Sequence, residues 1–169
     1  MSQRVINTII DTISDIEIYS IDEVFINLTE FNNNDILIFI KKLQIKVTKW
    51  TGIPVSIGVG ETKTLAKAAN YIAKKYNQKG LFVINKNNLN DSLKKIPVGK
   101  VWGIGKKSES FLKQYYIDTA YELKILDIFW ARHYLHLSGE KIIKELNSES
   151  CIPISNIPDN KKSICTSRT

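Results

Sequence analysis

The sequence predicts an α+β fold in which helices pack on a short-stranded sheet, followed by an all-helical region. Apolar spacing over residues 5–84 reads in the order helix, strand, strand, helix, strand, helix, strand. From about residue 89, strand-like runs stop and short helical segments joined by Gly and Pro follow. The pair Ile96-Pro97 marks the boundary between the two regions.

Composition excludes several classes of protein. The 169 residues are 43% hydrophobic and 24% charged, which is typical of a globular chain and excludes a disordered or collagen-like one. No run approaches the ~20 apolar residues of a membrane helix, and the N-terminus does not have the pattern of a signal peptide. Cys151 and Cys165 lack metal-site spacing, so we expect structural cysteines in a reducing, cytoplasmic compartment.

The elements of the first region follow from local patterns. Apolar residues at helical spacing predict a helix over 5–13 and another over 36–50. Two β-rich runs, 16–19 and 24–28, are joined by a short polar segment and predict a hairpin. Glycines bound a strand over 53–59. A helix over 62–76 and a strand over 80–84 complete this region.

The second region reads as four short helices and a polar tail. Helices are predicted over 107–115, 119–126, 127–136 and 139–147. A linker-like stretch containing Pro153 and Pro158 follows, and alternation in 161–169 predicts the start of a strand.

Positive charge is concentrated in the middle of the chain. The net charge is +7, and residues 61–120 hold 12 lysines against four acidic residues. Such a block attracts polyanions, nucleic acid first among them. A solvated lysine face that only keeps the protein soluble is the alternative.

Asp22 and Glu23 form the first candidate site. Adjacent carboxylates on a regular strand face opposite ways, but at a hairpin tip both can reach one site. Carboxylate oxygens suit Mg²⁺, so this pair is the candidate catalytic and metal-binding group. A solvated acidic turn is the alternative.

The helix predicted over 62–76 forms the second candidate site. Lys63, Lys67, Asn70 and Lys74 fall in one stripe, whereas the apolar residues fall on the opposite face. We therefore expect an exposed lysine ridge. Unpaired amides at the helix start attract anions, so Thr62, Lys63 and Lys67 are candidate phosphate ligands. The alternative is a solvated amphipathic helix.

A Gly-x-Gly turn forms the third candidate site. Gly103 and Gly105 follow apolar residues and precede a helix, in a pattern that resembles the helix–hairpin–helix motif. That motif grips DNA phosphates without reading sequence. The alternative is a helix–turn–helix corner in a core. The candidate DNA-binding residues are Lys74, Lys100, Gly103, Gly105, Lys106 and Lys107.

Two histidines form a weaker pattern. His133 and His136 are three residues apart with no third ligand at suitable spacing, so we expect surface histidines rather than a metal pair.

Taken in order, these segments resemble the Y-family translesion DNA polymerases. Residues 17–25 resemble the catalytic palm motif, and 52–59 with 62–70 are similar to the second palm segment. Residues 101–107 resemble the thumb helix–hairpin–helix, and 163–168 resemble the first strand of the little finger. The implied fold is an incomplete polymerase palm followed by a small all-α thumb. The implied domains are a partial palm over 1–95, a thumb over 96–150, and a linker with a truncated little finger over 151–169.

The resemblance also implies roles. Asp22 matches a ligand of both metal ions, and Glu23 matches the carboxylate near the primer end. Lys63 matches the lysine that approaches the incoming triphosphate. The implied activity is error-prone translesion synthesis in SOS DNA repair, with Mg²⁺ as cofactor. The implied partners are primer–template DNA, a deoxynucleoside triphosphate and a UmuD-type subunit, with no membrane.

One departure from the family limits the expected activity. The family's first metal aspartate lies on a strand upstream of the acid pair, and this sequence lacks that strand and the fingers. Losing a bridging carboxylate costs several kcal/mol, or thousands-fold in rate, so we expect no meaningful polymerase activity from the isolated chain. We also expect unpaired strand edges beside the absent strand.

Three other functions remain open at this stage. The chain could be a DNA-binding fragment without catalysis, or a decayed pseudogene product without a stable fold. A nucleotide cyclase also uses carboxylates on a palm-like sheet, but the helix–hairpin–helix segment argues against it.

Overall fold

The computed structural model describes residues 2–77 and 79–155. Its first half contains α1 (Ser2–Ile10), β1 (Ile16–Ile18), β2 (Val24–Ile26), α2 (Asn33–Thr51), β3 (Ile57–Val59), α3 (Lys63–Tyr76) and β4 (Leu81–Val83). The remainder contains α4 (Leu89–Lys94), a 3₁₀ turn (Val98–Lys100), α5 (Lys106–Gln114), α6 (Ala120–Lys124) and α7 (Ile128–Leu146). The α+β prediction is confirmed, and the strand predicted over 161–169 lies outside the described residues.

Two boundaries differ from the sequence prediction. The strand predicted over 53–59 is shortened to Ile57–Val59, because its first half contains Pro54, which cannot donate a ladder hydrogen bond. The two helices predicted over 127–136 and 139–147 are both present within α7, but they meet without a gap at a kink at His136, where φ is 60° and ψ is −160°. Helix α4 is an additional element that the periodicity did not predict.

The strands form two separate ribbons rather than the expected single sheet. β1 and β2 form the predicted antiparallel hairpin, with Ile16 opposite Ile26. β3 and β4 pair in parallel, with Ile57 opposite Leu81. A parallel pair requires a crossover connection, and α3 provides it by packing on its own ribbon.

Close approach of α3 to β3 depends on a glycine. A Cβ atom at Gly58 would lie 2.0 Å from the backbone nitrogen of Asn70. Only glycine allows the strand and the helix backbone to approach this closely. The apolar face of α3, away from its lysines, is buried at Leu65, Ala69 and Ile72, as the helical period predicts.

The main apolar core spans α3 to α7. Its buried members run in sequence from Leu65 to Leu146 and include Leu93, Leu112 and Leu123, each with 0% exposure. Helices α1 and α2 pack against each other outside this cluster, where Ile40 and Val47 are buried. Across the described ranges, no helix is both long and apolar enough to cross a bilayer.

Candidate functional site

The acid pair lies in the turn of the β1–β2 hairpin. The backbone amides of Tyr19 and Ser20 donate to the carbonyl of Glu23 at 3.0 and 3.1 Å, which closes the turn. The Ser20 hydroxyl donates to Asp22 Oδ1 at 2.7 Å. Glu23 Oε2 accepts from Lys67 Nζ at 2.5 Å. The structure therefore brings the acid turn into direct contact with the lysines of α3.

The expected exposed lysine ridge on α3 is wrong for its first two turns. Lys63 is 7% exposed, and its Nζ pairs with Glu17 Oε2 at 2.5 Å. The Lys67 side chain is 18% exposed. The hairpin covers this face, and the ring of Phe25 lies 4.9 Å from Lys63 Nζ. Lys74, one turn further on, is exposed as predicted.

The alternative, an amphipathic helix whose polar face is only solvated, is wrong for the same reason. The periodicity showed that the two faces of α3 differ, but it could not show that a hairpin from residues 16–26 lies on the polar face. Tyr76, assigned by the same period to the apolar face, is 54% exposed at the helix end.

Protein groups already occupy the start of α3. Thr62 Oγ1 accepts from the amide of Leu65 at 3.2 Å, as an N-cap residue does. Glu145 Oε2 accepts from the amide of Thr64 at 3.0 Å. A phosphate at this site would therefore meet the lysine ammonium groups rather than these amides. This corrects the expectation of a phosphate held by free amides at the helix start.

Glu145 was missed by sequence reasoning. It lies on α7 with 0% exposure, and Oε1 accepts from the amides of Cys151 at 2.7 Å and Ile152 at 3.1 Å. An acidic residue between Ile143 and Leu146 on an otherwise apolar helical stripe was the signal that could have identified it.

The glycine turn lies at the surface. Gly103 has φ of +92°, and a Cβ atom there would lie 2.8 Å from Ile142 Cδ1. Gly105 borders open space and is the N-cap of α5. Lys100, Lys106 and Lys107 are all exposed around this turn, where an anion can reach them. The alternative, a helix–turn–helix corner in a core, is wrong because Gly103 and Gly105 are exposed.

The part of the chain that the structure describes holds no complete metal site. Within residues 2–77 and 79–155, no three His, Cys, Asp or Glu residues are grouped so as to hold an ion. Asp22 and Glu23 supply two carboxylates, and Glu23 is already paired with Lys67. His133 is exposed, with its ring edge-on to Tyr134 at 4.6 Å. The donors present therefore do not by themselves fit Mg²⁺, which prefers a fuller set of oxygen ligands.

A large cavity separates the two ribbons. Its volume is about 1110 Å³, and its lining includes both β2 and β3 together with Asp22, Glu23 and Lys67. Within the described ranges, β2 pairs only with β1 and β3 only with β4, so each presents one edge without a strand neighbour. Asn70 Oδ1 is buried, lines the same cavity and has no hydrogen-bond partner among those residues.

The sequence relationships agree with this geometry. A model of the impB/mucB/samB family matches residues 1–71. UmuC of Salmonella typhimurium is 34% identical over 173 residues, which cover 100% of this chain and 41% of UmuC. The chain is therefore similar to UmuC over its whole length. The predicted resemblance to Y-family polymerases is confirmed.

One further relative and one solved structure are similar to this chain. DNA polymerase IV of Clostridioides difficile is 36% identical over 132 residues, covering 76% of this chain and 35% of that polymerase. The insertion ternary complex of Dbh DNA polymerase shares the fold with a TM-score of 0.75 at 24% identity, covering 92% of this chain and 45% of that one. The chain thus spans less than half the length of UmuC and of these two other proteins.

Proposed function

We propose that this UmuC-like chain is part of an error-prone Y-family DNA polymerase that performs translesion synthesis in the cytoplasm during SOS DNA repair. The observation that carries the proposal is the contact between the acid turn and α3, where Glu23 meets Lys67 at 2.5 Å. Two segments more than 40 residues apart are thereby brought together, and each matches a palm motif of the family. Residues 1–95 are proposed as palm, 96–150 as thumb, and 151–169 as a linker entering the little finger.

The acid pair is proposed to serve metal-dependent nucleotidyl transfer. Asp22 and Glu23 would be the ligands that this chain contributes to Mg²⁺, and further donors have to come from elsewhere. The cavity between β2 and β3 supports an additional strand there, because it presents two strand edges and the unpartnered Asn70 Oδ1. In the family such a strand carries the first metal aspartate.

The lysines of α3 are proposed to meet the triphosphate of the incoming nucleotide. Lys63 and Lys67 are paired with Glu17 and Glu23, so a polyphosphate would have to compete with those carboxylates. Thr62 is proposed to contribute by fixing the helix start, since its hydroxyl is bonded to Leu65 and to the carbonyl of Glu145.

The glycine turn is proposed to hold primer–template DNA by its phosphates. Gly103, Gly105, Lys106 and Lys107 are exposed together, and Lys100 and Lys74 add exposed positive charge. Contacts of this kind position a protein on DNA without specifying bases. A UmuD-type subunit is a proposed partner of the complete polymerase.

DNA binding is tested by titrating labelled primer–template with protein at increasing salt. We expect sequence-independent binding that weakens with salt, because lysines displace counterions from the phosphates. The double substitution Lys106→Ala/Lys107→Ala should weaken binding and lower the salt slope by up to about 2. Lys41→Ala/Lys42→Ala is the matched control, since it removes two exposed lysines from α2. Equal loss in both double variants would contradict the proposed DNA site.

Catalysis is tested by primer extension with Mg²⁺ and four deoxynucleoside triphosphates. The isolated chain should extend primers no better than its Asp22→Ala variant, because the metal donors are incomplete. Extension above that variant would show that our expectation of inactivity is wrong. Adding a polypeptide that carries the upstream strand and fingers of a UmuC relative should raise extension in an Asp22-dependent manner.

The second candidate function is DNA binding without catalysis. The exposed glycine turn favours it independently of the acid pair. Salt-dependent binding with no extension in the complemented assay would select it over a polymerase role. A cooperative thermal transition by circular dichroism is expected in either case, and its absence would favour a decayed product without a stable fold.

A further inference from the structure

The ammonium group of Lys67 lies inside an aromatic cage. Its Nζ is 4.5 Å from the ring centroid of Tyr19 and 5.7 Å from the centroids of Phe25 and Trp102. The same Nζ contacts Glu23 Oε2 at 2.5 Å. Three ring faces and one carboxylate thus surround a single ammonium group, an arrangement that fixes its position by cation–π attraction and charge.

The cage is assembled from separate parts of the chain. Tyr19 and Phe25 flank the acid turn on the hairpin, and Lys67 lies on α3. Trp102 belongs to the glycine turn before α5, and its indole Nε1 donates to the Tyr19 hydroxyl at 3.1 Å. The rings of Tyr19 and Trp102 meet edge-on at 5.5 Å. The turn proposed to grip DNA is therefore in contact with the hairpin that carries the acid pair.

The position of Trp102 is tied to that of its neighbour Gly103. Gly103 has φ of +92° and packs so closely on Ile142 that a Cβ would lie 2.8 Å from its Cδ1. Any shift of this turn would move the indole ring with it. Lys67 would then lose one of its three rings, and Glu23 would be held less firmly.

We propose that Trp102 is a positioning residue for Glu23, and that it couples the glycine turn to this carboxylate through Lys67. The inference deepens the proposed function, since it gives the DNA-gripping turn a route to the acid pair. A DNA duplex bound at the glycine turn displaces the Trp102 ring. This displacement changes the surroundings of the Lys67 ammonium group and, through that group, the position of the Glu23 carboxylate. Asp22 lies outside this route, because its carboxylate is bonded to Ser20 instead.

That difference between the two acids supplies a matched test. The full chain with Trp50→Phe and Trp130→Phe keeps Trp102 as its single tryptophan. In this background, Glu23→Gln should shift the Trp102 emission and raise its quenching by acrylamide, because Lys67 loses its carboxylate. Asp22→Asn should leave both unchanged. Lys67→Met should abolish the effect of Glu23→Gln, whereas Lys67→Arg should retain it.

Identical responses to Glu23→Gln and Asp22→Asn would overturn the proposal. If the Glu23→Gln variant does not fold, the Glu23→Asp variant is used instead. Aspartate keeps the negative charge, but its side chain is one methylene shorter, so the carboxylate lies further from Lys67. Unchanged Trp102 emission in a folded Glu23→Asp variant would then overturn the proposal equally.

A second measurement separates this inference from the proposed function. Adding primer–template DNA to the single-tryptophan protein should raise the quenching of Trp102 emission by acrylamide. The increase should be smaller in the Lys67→Met variant, where the cage is already lost. Binding without any change at Trp102 would reject the coupling and leave the DNA-binding function intact. Absence of binding would reject that function, while the comparison of the two acids would still test the cage.

Discussion

Residues 89–146 and residues 2–62 bury their apolar side chains in different ways. In the first of these regions, α4 to α7 surround fully buried leucines such as Leu93, Leu112 and Leu123, which join one cluster with α3. In the second, α1, α2, β2 and β3 contribute to the lining of a cavity of about 1110 Å³.

The difference follows from where each region finds its hydrogen bonds. A helix satisfies its own backbone groups, so α4 to α7 need only one another's side chains to close a core. A strand needs a neighbour on each side, and β2 and β3 have one each among the described residues. Elements with few neighbours open at lower free energy, so we expect unfolding to begin in residues 2–62.

The largest effect is expected at Glu145, whose carboxylate joins α7 to the start of α3 and to residues 151–152. Glu145→Ala leaves the amides of Thr64, Cys151 and Ile152 without their carboxylate and should lower the free energy of unfolding by about 3–5 kcal/mol. Urea unfolding followed by circular dichroism measures it. Glu149→Ala, which removes an exposed carboxylate 3.8 Å from Lys144, should cost at most about 0.5 kcal/mol. Equal costs would show that the Glu145 carboxylate does not hold these segments together.

The core comparison is sharpened by two leucine truncations. Leu112→Ala removes a side chain with 0% exposure from the main core and should cost about 3 kcal/mol. Leu43→Ala removes one with 3% exposure that already borders the cavity, so it loses fewer contacts and should cost about 2 kcal/mol. Both values come from denaturant unfolding. A larger cost at Leu43 would break the comparison.

Two glycines test how the ribbons are packed. Gly58→Ala places a methyl group 2.0 Å from a backbone atom of α3 and should cost about 2–3 kcal/mol, as strand and helix are forced apart. Gly105→Ala is its control, because Gly105 has φ of −85° and borders open space. Thermal melting should show a lower Tm for the first variant and little change for the second. A matching fall in both would contradict the close packing of β3 on α3.

A smaller effect is expected at the start of α6. Thr119 and Glu122 form a capping box, in which the Thr119 hydroxyl accepts from the Glu122 amide at 3.2 Å. Thr119→Ala should cost about 1 kcal/mol by denaturant unfolding. Thr119→Ser keeps the hydroxyl and should recover most of that loss, which separates capping from the loss of a methyl group.

The same box predicts a dependence on pH. Glu122 Oε2 accepts from the backbone amides of Asp118 at 2.7 Å and Thr119 at 2.9 Å, and these bonds hold the pKa of Glu122 below its ordinary value. The ionised Glu122 therefore contributes fully to the free energy of unfolding above the pKa of about 4.3 that this group has in the unfolded chain. The contribution is lost as the pH falls through the lower pKa that the group has in the folded protein. Glu122→Gln should remove this part of the acid sensitivity in unfolding measured from pH 6 to 3. If the free energy of unfolding of the Glu122→Gln variant depends on pH as that of the unsubstituted protein does, this prediction is wrong.

Local pattern was enough for several parts of this protein. The period of α3, its N-cap at Thr62 and the β1–β2 hairpin all follow from residues that are neighbours in sequence. The turn at Gly103 follows from glycine chemistry in the same way, since its φ of +92° favours a residue without a side chain. The order of these motifs also showed the resemblance to Y-family polymerases, because each motif is carried by a short continuous segment.

Only the tertiary structure decided what lies on the polar face of α3. Glu17 and Glu23 meet Lys63 and Lys67 across more than 40 residues, and Trp102 reaches Tyr19 across 83. The partition into two ribbons and the burial of Glu145 were likewise decided by packing. The period of apolar residues indicates which face of a helix or strand is polar and which is apolar. The segment that packs on each face depends on burial and charge pairing between residues far apart in sequence, which a local window does not contain.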